Sequence, residues 1–260
     1  MKINRLKKKI GGKEVALGTF LFVPSPAVVE ILGHAGFDFA IIDTEHAPVS
    51  PLDTTLLENL VRAAEVSGVT PLVRLPESSR IMTQKVLDAG AVGVVVPGIR
   101  TREDAEGVVR ASRYPPEGDR GCCSLTRPTG YSAKYTGGYW AEANRNAMVA
   151  LLIENREAVE NLEGILSVPG IDFIFFGPRD YSMSLGYADV NNPETLEARR
   201  KVERICEKNG IPLAWFLYPP FRESVRGAVE EGARILVAGA DVSLLHWVCR
   251  DLVEALEKPS

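Results

Sequence analysis

Residues 37–46 run from an apolar segment directly into a cluster of ionisable side chains. The apolar half predicts a buried strand, and Asp43, Glu45 and His46 follow it within four positions. An aspartate that accepts a hydrogen bond from an imidazole fixes its tautomer and raises its basicity. We therefore expect Asp43 to pair with His46, which suits His46 as a general base. A strand followed by a polar turn is the alternative for this stretch taken alone.

Two further carboxylates follow apolar runs. Glu154 comes directly after residues 150–153, and Asp180 follows a Gly-Pro turn that would hold it rigidly. Because an unpaired buried carboxylate is costly, Glu154 must be paired, hydrated or bound to a cation. Two carboxylates on neighbouring strand ends suit Mg²⁺, Mn²⁺ or a similar ion that keeps several waters. The alternative is that Glu154 pairs with an arginine and Asp180 caps a short helix.

Arg74 lies at the end of an otherwise apolar run, residues 71–76. An arginine there can form a fork on a carboxylate or on a developing enolate. The alternative is an ion pair with Asp43, Glu45 or Glu154, and both can hold in turn. No lysine falls at the end of a predicted strand, although an aldolase that works through a Schiff base needs one there. Carbanion chemistry in this chain would therefore rest on a metal.

The composition is that of an ordinary globular protein and does not indicate nucleic-acid or membrane partners. The 260 residues have a formal net charge of −4 and no broad basic patch. No apolar stretch approaches the ~18 to 20 residues that a membrane span needs. The four cysteines form no CxxC pair, which argues against a zinc site and a disulfide framework and favours a reducing, cytoplasmic setting.

Other reactive residues receive a structural interpretation. Cys122 and Cys123 are adjacent, but no histidine motif supports a nucleophilic role for either. His34 falls late in a predicted helix and His246 falls in the last one, so we interpret both as structural. The basic run at residues 7–9 is expected to form the solvated end of a short N-terminal helix.

These residues are positioned by a regular alternation of strands and helices. Continuous apolar runs predict eight strands, at residues 15–22, 37–43, 70–75, 92–96, 148–153, 171–176, 212–217 and 234–238. Helices or loops follow each strand, and a long irregular stretch, residues 113–146, is interpreted as a functional loop. Eight such units predict one (β/α)8 TIM barrel over residues 1–260. A doubly wound open sheet is disfavoured because no GxGxxG follows the first strand.

In a barrel of this kind the active site lies at the C-terminal ends of the strands, so the ionisable residues named above are expected to converge. The motifs there and in the loops resemble the HpcH/HpaI aldolase family, in family order and over nearly the whole chain. They are Asp43-Thr-Glu-His46, Val73-Arg-Leu-Pro76, residues 113–121, Ile153-Glu154, and residues 161–165, 168–172 and 177–182.

The resemblance implies a metal-dependent class II aldolase on a barrel of the phosphoenolpyruvate/pyruvate type. Such enzymes cleave a 4-hydroxy-2-oxo acid to pyruvate and an aldehyde through a metal-bound pyruvate enolate. Glu154 and Asp180 would bind Mg²⁺, Mn²⁺ or Co²⁺. Arg74 would stabilise the enolate oxygen, and His46, paired with Asp43, would be the acid/base.

The resemblance also implies a substrate subsite and an assembly. Backbone N–H groups around Gly177, Pro178, Arg179 and Asp180, together with Ser124, would hold the pyruvate carboxylate. The family is typically a homohexamer, a trimer of dimers, in which the last helix is exchanged between barrels. Here the corresponding helix, residues 243–256, is apolar enough to pack on a partner.

Two departures from the family pattern leave the substrate open. Leu152 stands where the family usually has Gln, and residues 122–131 differ from the usual small residues. Side chains in and after that loop would shape a different aldehyde pocket or a lid: Arg127, Tyr131, Tyr135 and Trp140. Two roles stay open for Glu45: an ion pair with Arg74, or a contact with the metal through a water molecule. The alternatives in function are oxaloacetate decarboxylation, a CoA-ester lyase and a non-catalytic metal-binding barrel.

Overall fold

The computed structural model describes residues 4–257, which contain eight parallel strands closed into a barrel in the order of the sequence. The predicted barrel is confirmed and the open sheet is wrong. Each predicted strand is present, within one or two residues at either end. The strands are β1 (Ala16–Leu21), β2 (Phe39–Asp43), β3 (Thr70–Arg74), β4 (Gly93–Val96), β5 (Met148–Ile153), β6 (Phe173–Phe176), β7 (Leu213–Leu217) and β8 (Ile235–Ala240).

Helices cover the outer face of the barrel and close one of its ends. They are α1 (Arg5–Gly11), α2 (Pro26–His34), α3 (Thr54–Ser67), α4 (Arg80–Asp88), α5 (Arg102–Ser112), α6 (Tyr139–Asn146), α7 (Arg156–Glu160), α8 (Leu162–Leu166), α9 (Pro178–Ser184), α10 (Pro193–Asn209), α11 (Phe221–Glu230) and α12 (Asp241–Glu257). The apolar spacing of residues 157–166 predicts a single helix after β5. That prediction is wrong, because Asn161 divides the segment into α7 and α8.

The barrel interior is filled by apolar side chains, with the ionisable groups above them. Phe39, Phe173 and Phe175 belong to one buried cluster inside the strands. Gly18 makes room for this packing, since a Cβ there would lie 2.3 Å from the ring of Phe39. Side chains two positions apart on a strand point the same way, so Asp43 continues the inward row of Phe39. The interior is therefore a packed core that ends in charged residues at the C-terminal side.

Helix α1 closes the opposite, N-terminal end. Leu6 is buried against the interior cluster. Lys7 Nζ lies 2.9 Å from Asp172 Oδ1 and Lys9 Nζ lies 2.7 Å from Asp38 Oδ1. The run at residues 7–9 is thus only partly solvated: two of its lysines bind carboxylates that precede strands, which corrects our expectation.

The segment at residues 113–146 follows a defined path along the outside of the barrel. It contains a 3₁₀ turn, Arg127–Thr129, and ends in α6, so the prediction of an irregular loop is partly wrong. The Asn144 side chain bonds the backbone N–H and C=O of Tyr114 at 2.7 and 2.9 Å. Tyr114 in turn packs on Trp140, with ring centroids 4.4 Å apart. These contacts join the start of the segment to its end.

Helix α12 is long and presents an apolar face to solvent. Its exposed large side chains are Leu245, Val248, Leu252, Val253 and Leu256. A face of this size on a helix end is typical of an interaction surface. None of the helices within residues 4–257 has the length and hydropathy to cross a membrane.

Candidate active site

Asp43 and Arg74 form a buried ion pair at the C-terminal end of β2 and β3. The two residues are direct neighbours in the strand register. Arg74 Nε donates to Asp43 Oδ1 at 3.1 Å, and its Nη2 donates to Oδ2 in a second, short hydrogen bond. Asp43 is fully buried, and its Oδ1 also accepts the backbone N–H groups of Glu45 and His46. The register therefore fixes a two-point fork between the strands.

This geometry corrects the expected pairing of Asp43 with His46. The carboxylate of Asp43 binds Arg74 and the backbone of the turn, and it does not accept a hydrogen bond from the imidazole. His46 instead lies beside Glu45, with Nε2 and Oε2 3.8 Å apart, and 61% of its side chain is exposed. The carboxylate that faces the imidazole belongs to Glu45.

Glu45 connects His46 to the arginine. Its Oε2 lies 3.2 Å from Arg74 Nη1, which confirms the ion pair that the sequence left open for Glu45. Burial raises the pKa of the Glu45 carboxyl, and the positive charge of Arg74 opposes that rise. Arg74 is thus held by two carboxylates, one on each side of the guanidinium.

An aromatic ring completes the surroundings of Arg74. The guanidinium carbon lies 4.6 Å from the ring centroid of Phe20, within the range of a cation–π contact. Phe20 comes from β1, and its ring also packs at 6.1 Å from those of Phe175 and Phe216. Sequence reasoning missed Phe20, because an apolar residue within a strand carries no signal of contact with a charged group.

Glu154 extends from the end of β5 and bonds to a backbone amide. Its Oε1 accepts the N–H of Gly98 at 2.7 Å, and no arginine pairs with it in the described chain. Burial raises the pKa of Glu154, and the nearby charge of Asp180 raises it further. Gly177 allows the close approach of β6, since a Cβ there would lie 2.9 Å from Glu154 Cβ. The contribution of Gly98 was not evident from the sequence.

Asp180 lies in the first turn of α9 and is exposed to solvent. Within residues 4–257 its side chain caps no helix, so the capping alternative is not met.

Fewer backbone N–H groups than expected are available to bind the pyruvate carboxylate at residues 177–180. Pro178 has no backbone N–H, and the N–H of Gly177 is bonded to the carbonyl of Ile153 at 3.0 Å. The backbone donors left free for a ligand belong to Arg179 and Asp180.

The donor set suits a hard divalent cation that keeps part of its water shell. No group of three or more His, Cys, Asp and Glu side chains that could hold a metal occurs between residues 4 and 257. Two carboxylates with mutually unfavourable charges are present, Glu154 and Asp180. Magnesium-type ions bind to one or two carboxylates and complete their shell with water and ligand oxygens. The residues therefore fit such an ion.

Ser124 is bonded within its own loop. Its carbonyl accepts the hydroxyls of Thr129 and Ser132, in the segment that follows α5. Arg127 and Tyr131 of the same segment line a cavity beside the N-terminal ends of β3 and β4. Within its own barrel this loop therefore covers the N-terminal side. The role expected of Ser124 in holding the substrate, and of the loop in shaping an aldehyde pocket, stays a prediction.

The chain is a closed eight-stranded barrel with carboxylates, an arginine and a histidine at its C-terminal end. Active sites of barrel enzymes lie at that end, so the arrangement is typical of this class of enzymes. The sequence model of the HpcH/HpaI aldolase/citrate lyase family matches residues 17–246, and the chain belongs to that family. It is an enzyme of the aldolase class of lyases.

Relatives that match nearly the whole chain are also aldolases or members of this family. The 5-keto-4-deoxy-D-glucarate aldolase of Escherichia coli O6:H1 is 29% identical, with 98% of this chain and 97% of the relative covered. An HpcH/HpaI aldolase/citrate lyase family protein from Burkholderia cenocepacia has a TM-score of 0.89 and 30% identity, covering 98% and 100%. The HpcH/HpaI aldolase of Desulfitobacterium hafniense has a TM-score of 0.87 and 32% identity, covering 98% and 97%.

Proposed function

We propose that this enzyme cleaves a 4-hydroxy-2-oxo acid to pyruvate and an aldehyde, with a divalent cation (Mg²⁺, Mn²⁺ or Co²⁺) bound by Glu154 and Asp180. The observation that carries the proposal is the convergence of these carboxylates with Arg74 and His46 at one barrel end. Burial raises the pKa of Glu154, the charge of Asp180 raises it further, and the charges of Arg74 and His46 oppose the rise, which supports this grouping.

The bound cation would supply Lewis-acid polarisation of the 2-oxo group. The protein residues that hold it are fixed before any ligand arrives. The hydrogen bond from Gly98 orients Glu154, and the start of α9 orients Asp180. The free N–H groups of Arg179 and Asp180 are suited to receive the substrate carboxylate, because N–H groups in the first turn of a helix have no partner within the helix.

Arg74 stabilises the negative charge that develops on the oxygen of the 2-oxo group. Its guanidinium is held by Asp43 and Glu45 and by the ring of Phe20, so it needs little reorganisation during the reaction. Donors fixed in advance where charge develops are usually the largest single contribution to catalysis.

His46 removes the proton of the 4-hydroxyl. As that oxygen forms the carbonyl of the aldehyde, the C3–C4 bond breaks, and its electron pair remains on the pyruvate fragment as an enolate beside Arg74. Return of a proton to C3 gives pyruvate. Glu45, 3.8 Å from the imidazole, stabilises the imidazolium that forms in the first step.

The substrate class follows from the relative named for 5-keto-4-deoxy-D-glucarate. That compound carries a 2-oxo acid with a hydroxyl two carbons from the oxo carbon, which is the pattern that the proposed cleavage requires. The test is pyruvate release from 5-keto-4-deoxy-D-glucarate, measured with and without added Mg²⁺ after EDTA treatment. We expect activity that is lost with EDTA and restored by the metal. Full activity in EDTA would contradict the metal requirement.

Exchange of the C3 protons of pyruvate with deuterium separates catalysis from mere binding. The enolate step predicts exchange in the presence of metal, whichever aldehyde the enzyme prefers. No exchange with metal present would favour the non-catalytic barrel instead.

We also propose that the chain is a homo-oligomer, a hexamer built as a trimer of dimers in a cytoplasmic setting. The exposed apolar face of α12 supports packing on a second copy. The described cysteines are all free, which agrees with a reducing compartment. Light scattering should give a mass of several chains, and Leu245→Glu with Leu252→Glu should shift it towards the monomer. A monomeric wild-type protein would contradict this assembly.

A further inference from the structure

A cavity of about 920 Å³ lies at the end of the barrel opposite the candidate active site. Its walls come from α1, from the C-terminal part of α3, from the residues that lead into β3 and β4, and from residues 127–147. Sites that bind small molecules have volumes of roughly 300 to 1,000 Å³. The cavity is therefore large enough for an organic ligand, and none of the proposed catalytic residues lines it.

The cavity is strongly cationic, although the whole chain has a net charge of −4. Only one carboxylate, that of Glu65, lines it among the described residues. The cationic side chains that line it are Arg5, Lys8, Arg62, Arg120, Arg127 and Lys134. Like charges gathered in one concave surface repel each other, and the same surface attracts anions.

Half of these cations are already neutralised. Arg127 forms a two-point ion pair with Glu65, at 3.1 and 2.8 Å. Arg62 binds Glu58 at 2.6 Å, and Arg120 binds Asp88 at 2.7 Å. These three pairs use carboxylates from α3 and α4.

The other three cations have no ion-pair partner among residues 4–257. They are Arg5 and Lys8, from α1, and Lys134, from the segment after the 3₁₀ turn. Arg5 and Lys8 are one turn apart on α1, so both side chains reach the same mouth of the cavity. A ligand with two or three negative charges would balance the unpaired positive charge.

Arg120 fixes a positive charge in the wall of the cavity. The residue is only 6% exposed and lines the cavity, and its Nε is a buried donor without a hydrogen-bond partner. Its guanidinium lies over the ring of Tyr114 at 4.4 Å, which fixes its orientation. Because Nε has essentially no accessible surface, Arg120 acts on a ligand through its positive charge, and the contacts with the ligand come from the exposed cations.

We propose that this cavity binds a small organic polyanion with two or three negative charges, either a phosphate ester or a polycarboxylate. The apolar part of the wall, which includes Val69, Leu87 and Pro128, would contact the carbon skeleton of the ligand. The site is distinct from the aldolase site and does not depend on the function proposed above.

Calorimetric titration of the metal-free protein at low ionic strength tests the proposal. The probes are glucose 6-phosphate, which carries about two negative charges at neutral pH, for the phosphate esters and tricarballylate, which lacks an oxo group, for the polycarboxylates. We expect at least one of them to bind at one site per chain. Binding of only one probe assigns the ligand class, whereas binding of neither overturns the proposal.

Two variants locate the binding. Lys8→Gln and Lys134→Gln should each weaken binding about tenfold, the expected loss for one charge-assisted contact. Lys201→Gln, which removes a lysine of α10 outside the cavity, should bind as the wild type does. All three variants should melt at the wild-type temperature. Unchanged affinity in both cavity variants would place the ligand elsewhere and contradict the assignment.

Discussion

Among residues 4–257, four carboxylates lie around Arg74 and His46 at the C-terminal end of the barrel, whereas six cations and one carboxylate line the cavity at the N-terminal end. The two ends share one backbone and one apolar interior. The difference in charge therefore comes from the side chains at the strand termini and from the segments that cover them. The charge at each end is opposite in sign to that of the ligand proposed for it, a cation at the C-terminal end and a polyanion at the N-terminal end.

The two ends also differ in how their ion pairs are built. Asp43 and Arg74 are inward-facing neighbours on adjacent strands, and Asp43 has no exposed surface. The pair between Arg62 and Glu58, near the N-terminal cavity, joins two partly exposed side chains one helical turn apart. Buried pairs are costly to break, and exposed helical pairs contribute little. The C-terminal network is thus integral to the fold, whereas the pair near the cavity is free to rearrange around a ligand.

The largest expected effect is the loss of activity in Glu154→Gln. The substitution keeps the size of the side chain and the acceptor for Gly98 but removes one of the two proposed cation ligands. We expect kcat/KM to fall by about 10³-fold, on the order of 4 kcal/mol. Stability should not fall, because burial disfavours the ionised carboxyl. Steady-state kinetics and thermal melts measure the two quantities.

The matched control is Glu157→Gln, which changes an exposed glutamate three residues further along the chain. It should leave kcat/KM within about twofold of wild type, because it removes only a surface ion pair with Arg100. Near-wild-type activity in Glu154→Gln would mean that the carboxylates at the C-terminal end do not bind a catalytic cation. The difference in charge between the two ends would then not reflect their ligands.

A smaller effect, on stability, is expected for Asp43→Asn. The change leaves Arg74 beside a neutral amide in a site with little access to water. Breaking a buried pair costs about 3 to 5 kcal/mol, and the amide recovers part of this by hydrogen bonding, so we expect a loss of about 2 to 3 kcal/mol. Urea unfolding measures it. Glu106→Gln, which removes the exposed i,i+4 pair with Arg102, should cost below about 0.5 kcal/mol. Equal losses in the two variants would show that the two kinds of pair do not differ.

The strands and their order were predictable because each strand is a continuous apolar run, buried on both faces in the closed barrel. Helix α6 was missed for a physical reason. Its packing depends on Tyr114 and Trp140, which are 26 positions apart in the sequence, and on the Asn144 side chain, and such contacts leave no helical periodicity. The break at Asn161 between α7 and α8 was missed because the apolar spacing continues across it.

The position of the candidate site residues at the C-terminal ends of the strands was predictable, but their contacts were predictable only in part. The ends of parallel strands meet at one edge, so Arg74, Glu154 and His46 could be grouped from their positions alone. The partner of Asp43 could not be predicted in the same way. The register between β2 and β3 decides that Asp43 faces Arg74 and not His46. The role of Ser124 stays a prediction, because sequence order does not reveal which surface is reached by a segment that runs along the outside of the barrel.

The smallest expected effect is that of Glu45 on the free energy of unfolding. It tests whether the carboxylates at the C-terminal end destabilise the fold in the absence of a cation. Burial raises the pKa of Glu45 above its ordinary value of 4.5 in spite of Arg74. The folded state therefore holds the proton more tightly than the unfolded state does. The contribution of Glu45 to stability is then most favourable below the unfolded pKa and falls as the pH rises through the folded pKa.

Urea unfolding of metal-free wild type and Glu45→Gln, compared from about pH 4 to pH 7, measures this contribution. The variant has no titrating group at this position, so the wild type should lose stability relative to it as the pH rises. Glu223→Gln, an exposed change on α11, should follow the wild-type curve at every pH. A wild type that gains stability relative to Glu45→Gln would mean that attraction by Arg74 exceeds the cost of burial. The carboxylates at the C-terminal end would then be balanced without a bound cation, and the contrast with the cationic cavity would be smaller than the residue types suggest.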